Sequence, residues 1–381
     1  MSGCALFSAR ISEIDVRGTV TALESPKKLE DWIDVDVLKS IEFLQLIRGG
    51  VPNYLRTLIW QVTSGSSLLK WSHNSVESDV NKNSKRKKRK DYSHFLARHR
   101  DEESIATAEI ERDLHRTLPS HPLFQGAEGL ESLRRVLVAY SWKNPDVGYC
   151  QSLNVIAALL LCYLSEEETF WMIGQICEDI LPDRYTPSMI GTMVDQQAFG
   201  TLLETHLSDI ARHLTDLDIP VPLITLPWFM CLFIGFLPWE ANLRALDWFF
   251  CQGVVAFFQI SLALFSLHRE KILSEEDPLA VIAMLKSNIQ VSATALFEET
   301  LRTYVPIVTP QVIADLREFH YPLIYRHLQQ QSDEPADEKC QVCIFFVCTR
   351  IGLSLLFSPS LFSPSLSIHN SLIPNSHFST R

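Results

Sequence analysis

From Glu102 to about Gln329, apolar residues recur at i, i+3 and i+4 almost without pause, and no stretch of comparable length alternates with period two. A chain patterned this way buries stripes of its helices against other helices, so an all-α helical array is expected. The spacing predicts helices ending at Leu118 ahead of Pro119, then over 130–142, 149–164, 167–181 and 195–213. Further helices are expected within 223–236 and over 243–267, 278–285, 291–304 and 310–329. Upstream, residues 37–47 are periodic until Gly49 and Gly50 stop them, and Pro52 opens another helix carrying Leu55, Leu58, Ile59 and Val62.

Between Ser64 and Asp101 the periodicity lapses around Lys85-Arg86-Lys87-Lys88-Arg89-Lys90. Successive cations repel one another and cannot pack, so a solvated loop is expected there, with a nuclear address or contact with anionic lipid as alternatives. After Gln330 the pattern fails, and Ser-Pro-Ser-Leu-Phe-Ser-Pro-Ser-Leu is a near repeat of low complexity. Four parts follow: an N-terminal extension (1–40), a main helical domain (41–270) with a basic insertion loop (72–101), a helical continuation (271–329), and a poorly ordered tail (330–381).

A net charge of −11 argues against nucleic-acid binding, which needs a surplus of lysine and arginine on one face. The cysteines are scattered through apolar segments and the N-terminus lacks signal-peptide regions, so a reducing, cytoplasmic setting is expected. Cys340 and Cys343 form a lone CxxC without a second pair at zinc spacing, and read as free thiols. Two charge-free runs, 221–239 and 248–267, have the length of a membrane span. The first contains Pro222, Pro227 and Pro238 and the second Gln252, Gly253 and Gln259, which suits buried helices better. A polytopic membrane protein remains as a rival.

Two segments carry the residue types that chemistry needs. Ile110, Asp113 and Arg116 lie three apart, near one face of one helix, and Arg116 is expected in its last turn, where Asp113 can hold the guanidinium. Taken alone, such a pair is usually a surface ion pair worth a few tenths of a kcal/mol. In the second, the turn Asn144-Pro145-Asp146-Val147-Gly148 leads into Tyr149-Cys150-Gln151, with Gln151 expected in the first turn of an apolar helix. An amide there could position a water, although from the residues alone a cap-region or structural glutamine is the commoner reading.

With their neighbours these segments resemble a known family. Arg48-Gly49-Gly50-Val51-Pro52 with Arg56 and Trp60, then Ile110-x-x-Asp113-x-x-Arg116, then Tyr149-x-Gln151 are similar, in order and character, to the three signature motifs of the TBC domain family of Rab GTPase-activating proteins. The runs His121-Pro122-Leu123-Phe124, Leu226-Pro227-Trp228-Phe229 and Arg244-Ala245-Leu246-Asp247 add to the likeness, which covers about residues 41–270. The resemblance implies an all-α fold of two helical subdomains with a cleft. It also implies that Arg116 and Gln151 are fingers inserted in trans into the nucleotide site of a GTP-bound Rab-type small GTPase.

On this reading the chain carries no cofactor of its own, GTP and Mg²⁺ belonging to the partner, and no phosphate-cradling glycine loop is found. Asp113 would orient Arg116, Arg56 and Trp60 would brace the helices, and Tyr149 would meet the partner or pack. Such an activator regulates vesicle traffic, in the cytoplasm or attached peripherally to endomembranes. The alternative is a catalytically silent module of the same fold that binds a small GTPase or organises other proteins.

Overall fold

The computed structural model describes residues 41–75, 91–99, 102–287 and 289–332. The N-terminal extension, the cationic run at 85–90, the Cys340–Cys343 pair and the tail beyond Ser332 lie outside the described residues.

The first half of the domain comprises α1 (Ile41–Gly49), α2 (Arg56–Ser64, entered by a short 3₁₀ turn), α3 (Ser66–Ser75), α4 (Tyr92–Arg98), α5 (Ile105–Leu114), α6 (Pro122–Gln125), α7 (Ala127–Lys143), α8 (Leu153–Leu161) and α9 (Glu166–Gln175). The second comprises α10 (Ile190–His206), α11 (Ser208–Asp216), α12 (Val221–Met230), α13 (Trp239–Gln252), α14 (Val255–Leu267), α15 (Arg269–Ser274), α16 (Pro278–Lys286), α17 (Ala293–Glu299) and α18 (Pro310–Ser332). No strand occurs among the described residues. In the first half α7 is the hub, touching α4, α5, α6, α8 and α9, while α10 packs on α11, α12 and α18 in the second. One continuous apolar core runs through both halves, from Phe43 to Ile313.

The structure differs from the sequence reading where a single backbone angle interrupts a periodic run. The run over 243–267 is two helices because Gly253 adopts φ 70° and ψ −150° between α13 and α14, a conformation an L side chain strains to reach. The run over 195–213 is broken at Leu207 between α10 and α11. The first charge-free run ends as a helix at Met230, where Leu232, Phe233 and Gly235 take positive φ. No helix among the described residues is long and apolar enough to cross a membrane.

The expected loop over 72–101 proves partly helical. Asp91 caps α4 by accepting from the His94 amide at 2.8 Å, and Tyr92 and Phe95 pack their rings on Phe170 of α9. Burying one such side chain is worth about 1.5–3 kcal/mol, enough for seven residues to hold a helix that periodicity alone does not reveal. The Tyr92 hydroxyl donates to Glu166 at 2.5 Å, and Arg135 and Ser132 of α7 donate to the same carboxylate. That cluster ties α4, α7 and α9 together. The Arg135 guanidinium, with Tyr92 and Ser132, holds Glu166 down to about 2.

Candidate functional site

The candidate site is built where α5 ends and α8 begins. Ser104 and Thr107 form a reciprocal capping box that starts α5. Its end comes at Leu114, a turn earlier than the spacing suggests, because two constraints meet there. Pro119 disfavours helical backbone at Leu118, which adopts φ 43°, and the Thr117 hydroxyl captures the Asp113 carbonyl at 2.6 Å. Arg116 therefore lies in the turn beyond the helix rather than in its last turn.

The start of α8 is displaced in the same way. Ser152 takes φ 113° and ψ −30°, so the helix begins at Leu153 and Gln151 sits in the turn before it rather than in its first turn. A non-glycine residue held there costs about 1–3 kcal/mol and persists only where its surroundings impose it. Here Asn154 accepts from the Ser152 amide at 3.1 Å, and Ser152 is wholly buried. Gly148 supplies a further positive φ of 57° at the preceding bend.

Two side-chain bridges clasp these turns. The Asp113 carboxylate accepts Arg116 Nε at 2.8 Å and Nη2 at 2.5 Å on one oxygen, and the Tyr149 hydroxyl at 2.6 Å on the other. Beside it, Asn154 Nδ2 donates to the Thr117 hydroxyl at 2.7 Å. Arg116 and Gln151 are thus each flanked by a residue bonded to the opposite turn. Asp113 and Tyr149 are buried while the Arg116 side chain keeps 21% of its surface exposed, so the arginine is oriented from beneath and open above. The Gln151 Nε2 atom is enclosed and has no hydrogen-bond partner among the described residues. Burial, reinforced by the Asp113 carboxylate, raises the Tyr149 phenol well above its ordinary value, so it stays a donor. Thr117, Ser152 and Asn154 were given no role by the sequence reading; their only signal was proximity to Arg116 and Gln151.

Arg56 and Trp60 lie elsewhere. Asp247 of α13 accepts Arg56 Nε at 3.0 Å and Nη2 at 3.1 Å, the Trp60 indole at 2.8 Å and the Val51 amide at 3.4 Å. Arg244, one turn earlier, donates to the Arg48 carbonyl at 2.7 Å and lies against Gly50, whose φ of 101° and lack of a side chain admit it. The first motif is therefore a fastening between α2 and α13. Asp247, its acceptor, also received no role from sequence.

Burial pushes the Cys162 thiol up to about 11 and the Cys231 thiol up to about 12, which keeps these two protonated.

The Tyr149–Asp113 bond yields a stability prediction. Tyr149→Phe leaves one buried carboxylate oxygen without its donor and is expected to cost about 1.5–3 kcal/mol in urea unfolding, the range for hydrogen bonds to charged groups. An unchanged urea midpoint would show that the clasp contributes nothing.

Comparison with known proteins places this geometry in context. The Rab-GTPase-TBC domain family matches residues 53–273. A putative GTPase-activating protein of Emericella nidulans is 33% identical over 79% of this chain and 27% of its own length. A GTPase-activating protein of Schizosaccharomyces pombe is 34% identical over 66% of this chain and 33% of its own. The chain thus spans between a quarter and a third of the length of these relatives. The flagellar RabGAP TBC domain of Chlamydomonas superposes with a TM-score of 0.60 at 26% identity, covering 79% of this chain and 93% of that one. The TBC domain of Drosophila melanogaster Skywalker shares the fold, with a TM-score of 0.55 at 16% identity over 80% of this chain and 97% of that one.

Proposed function

The chain belongs to the Rab-GTPase-TBC domain family, and from that premise we propose that it accelerates GTP hydrolysis on a Rab-type small GTPase by presenting Arg116 and Gln151 to the partner's nucleotide. The observation that carries the proposal is the clasp. Asp113 bonds both Arg116 and Tyr149, and Thr117 bonds Asn154, so a cation and an amide 35 positions apart in sequence are mounted on two adjoined turns.

Each side chain has a distinct task. Negative charge grows on the phosphate oxygens as GTP is cleaved, and the planar, permanently ionised guanidinium of Arg116 neutralises it with directed donors. Asp113 keeps that fork from collapsing into solvent. Gln151 orients the attacking water through its amide, whose nitrogen is enclosed in the free protein and turns outward when the partner docks. GTP and Mg²⁺ arrive with the partner, and hydrolysis returns it to its GDP form, which ends its signal on the vesicle or endomembrane that carries it.

The test is single-turnover GTP hydrolysis across a panel of Rab proteins. Wild type is expected to accelerate at least one of them, and Gln151→Ala to reduce that acceleration by about 10²–10³-fold, the range seen when one preorganised donor is removed. If a Rab binds tightly while no rate changes, the domain is a silent binding module.

A further inference from the structure

Trp239 opens α13 and is 41% exposed, whereas Trp60, Trp171, Trp228 and Trp248 are each at most 2% exposed. No other described tryptophan reaches the surface to that extent. Its ring stacks on His121, with centroids 5.6 Å apart and planes at 27°, and Leu123, two positions on from His121, is 40% exposed. His121 is fixed from two sides: its Nδ1 accepts the Leu123 amide at 3.3 Å, and the Cys162 sulfur lies 3.7 Å from its Nε2. The indole also adjoins Tyr163, whose ring packs on Trp60 at 5.0 Å. Aromatic rings braced in this way are frequent anchors of protein interfaces.

The patch is continuous with the clasp. Residues 116–121 run beside α8, since Thr117 bonds Asn154 at its N-terminal end while His121 meets Cys162 just past its C-terminal end. That helix is nine residues long, or about 13 Å. His115, Pro119, Ser120, Pro122 and Leu123 along this path are all exposed. A standard interface covers ~800 Å² per partner, roughly 30 Å across if circular. An interface of that size centred on Arg116 and Gln151 has the reach to include Trp239.

We propose that Trp239, seated on His121, is an anchor for an apolar surface patch of the same GTPase that receives Arg116. This rests on the activator reading above and adds a second point of contact to it. The anchor contributes equally to the ground state and the transition state, so it acts on affinity and leaves the maximal rate alone.

Single-turnover hydrolysis by the Rab panel, measured over a range of activator concentrations, separates the two ideas. Trp239→Ala is expected to raise the half-saturating concentration about 10- to 30-fold at an unchanged maximal rate. Trp239→Phe should recover most of the loss, and Leu123→Asp, at an exposed position, should reproduce it. If Trp239→Ala and Leu123→Asp both saturate like wild type, or lower only the maximal rate, the anchor is disproved while the activator reading stands. If wild type accelerates no GTPase in the panel, the activator reading fails and the anchor falls with it.

Discussion

Replacing Arg116 by alanine is expected to lower the stimulated rate of GTP hydrolysis about 10³- to 10⁵-fold, the contribution of an arginine supplied in trans. Lysine should not rescue it, because an ammonium lacks the planar fork that Asp113 grips through Nε and Nη2 on one side and that must meet phosphate oxygens on the other. The loss should fall on the maximal rate, with the half-saturating concentration changing little, since the interaction matures only as charge develops. Retention of even a tenth of the rate by Arg116→Ala would remove this residue from the chemistry.

The second large effect concerns stability. Asp247→Ala leaves the Arg56 guanidinium, only 7% exposed, without its counter-ion and the Trp60 indole without its acceptor. Breaking a buried pair from one side costs about 3–5 kcal/mol, a large share of the 5–15 kcal/mol that separates a typical domain from unfolding. Burial raises the Asp247 carboxyl above its usual range even though Arg56, Trp60 and the Val51 amide all favour the charged form. The site is thus costly to charge and depends on its partners. A urea midpoint for Asp247→Ala that corresponds to a loss under about 1 kcal/mol would show that α2 and α13 are held by apolar packing alone.

These two predictions draw on different layers of what the sequence discloses. The helical architecture was legible because most helices bury a broad face, and apolar spacing reports burial directly. Element ends were less legible, since they turn on one residue's backbone angle. Gly253 could have been read as a break, but Ser152 at φ 113° carries no such mark in its chemistry. That single angle moves Gln151 out of α8. The early end of α5 was partly visible in Pro119, whereas the capture of the Asp113 carbonyl by Thr117 was not.

Pairings across long separations were hidden for a similar reason. Periodicity along one helix says nothing about which residue of another helix it meets, so Tyr149 with Asp113, Thr117 with Asn154 and Arg56 with Asp247 emerge only from the fold. The family resemblance named Asp113, Tyr149, Arg56 and Asp247 but paired neither Tyr149 with Asp113 nor Arg56 with Asp247. Only in the structure do the pairings appear.

The proposed joint action of Arg116 and Gln151 is tested most directly by a transition-state analogue. A Rab-type GTPase that the wild-type protein stimulates, loaded with GDP and aluminium fluoride, should form a stable complex with wild type. Arg116→Ala and Gln151→Ala should each abolish that complex while still binding the GTP-loaded partner. Complex formation by both variants at wild-type strength would contradict the account, because neither side chain would then be recognising the charge and geometry of hydrolysis.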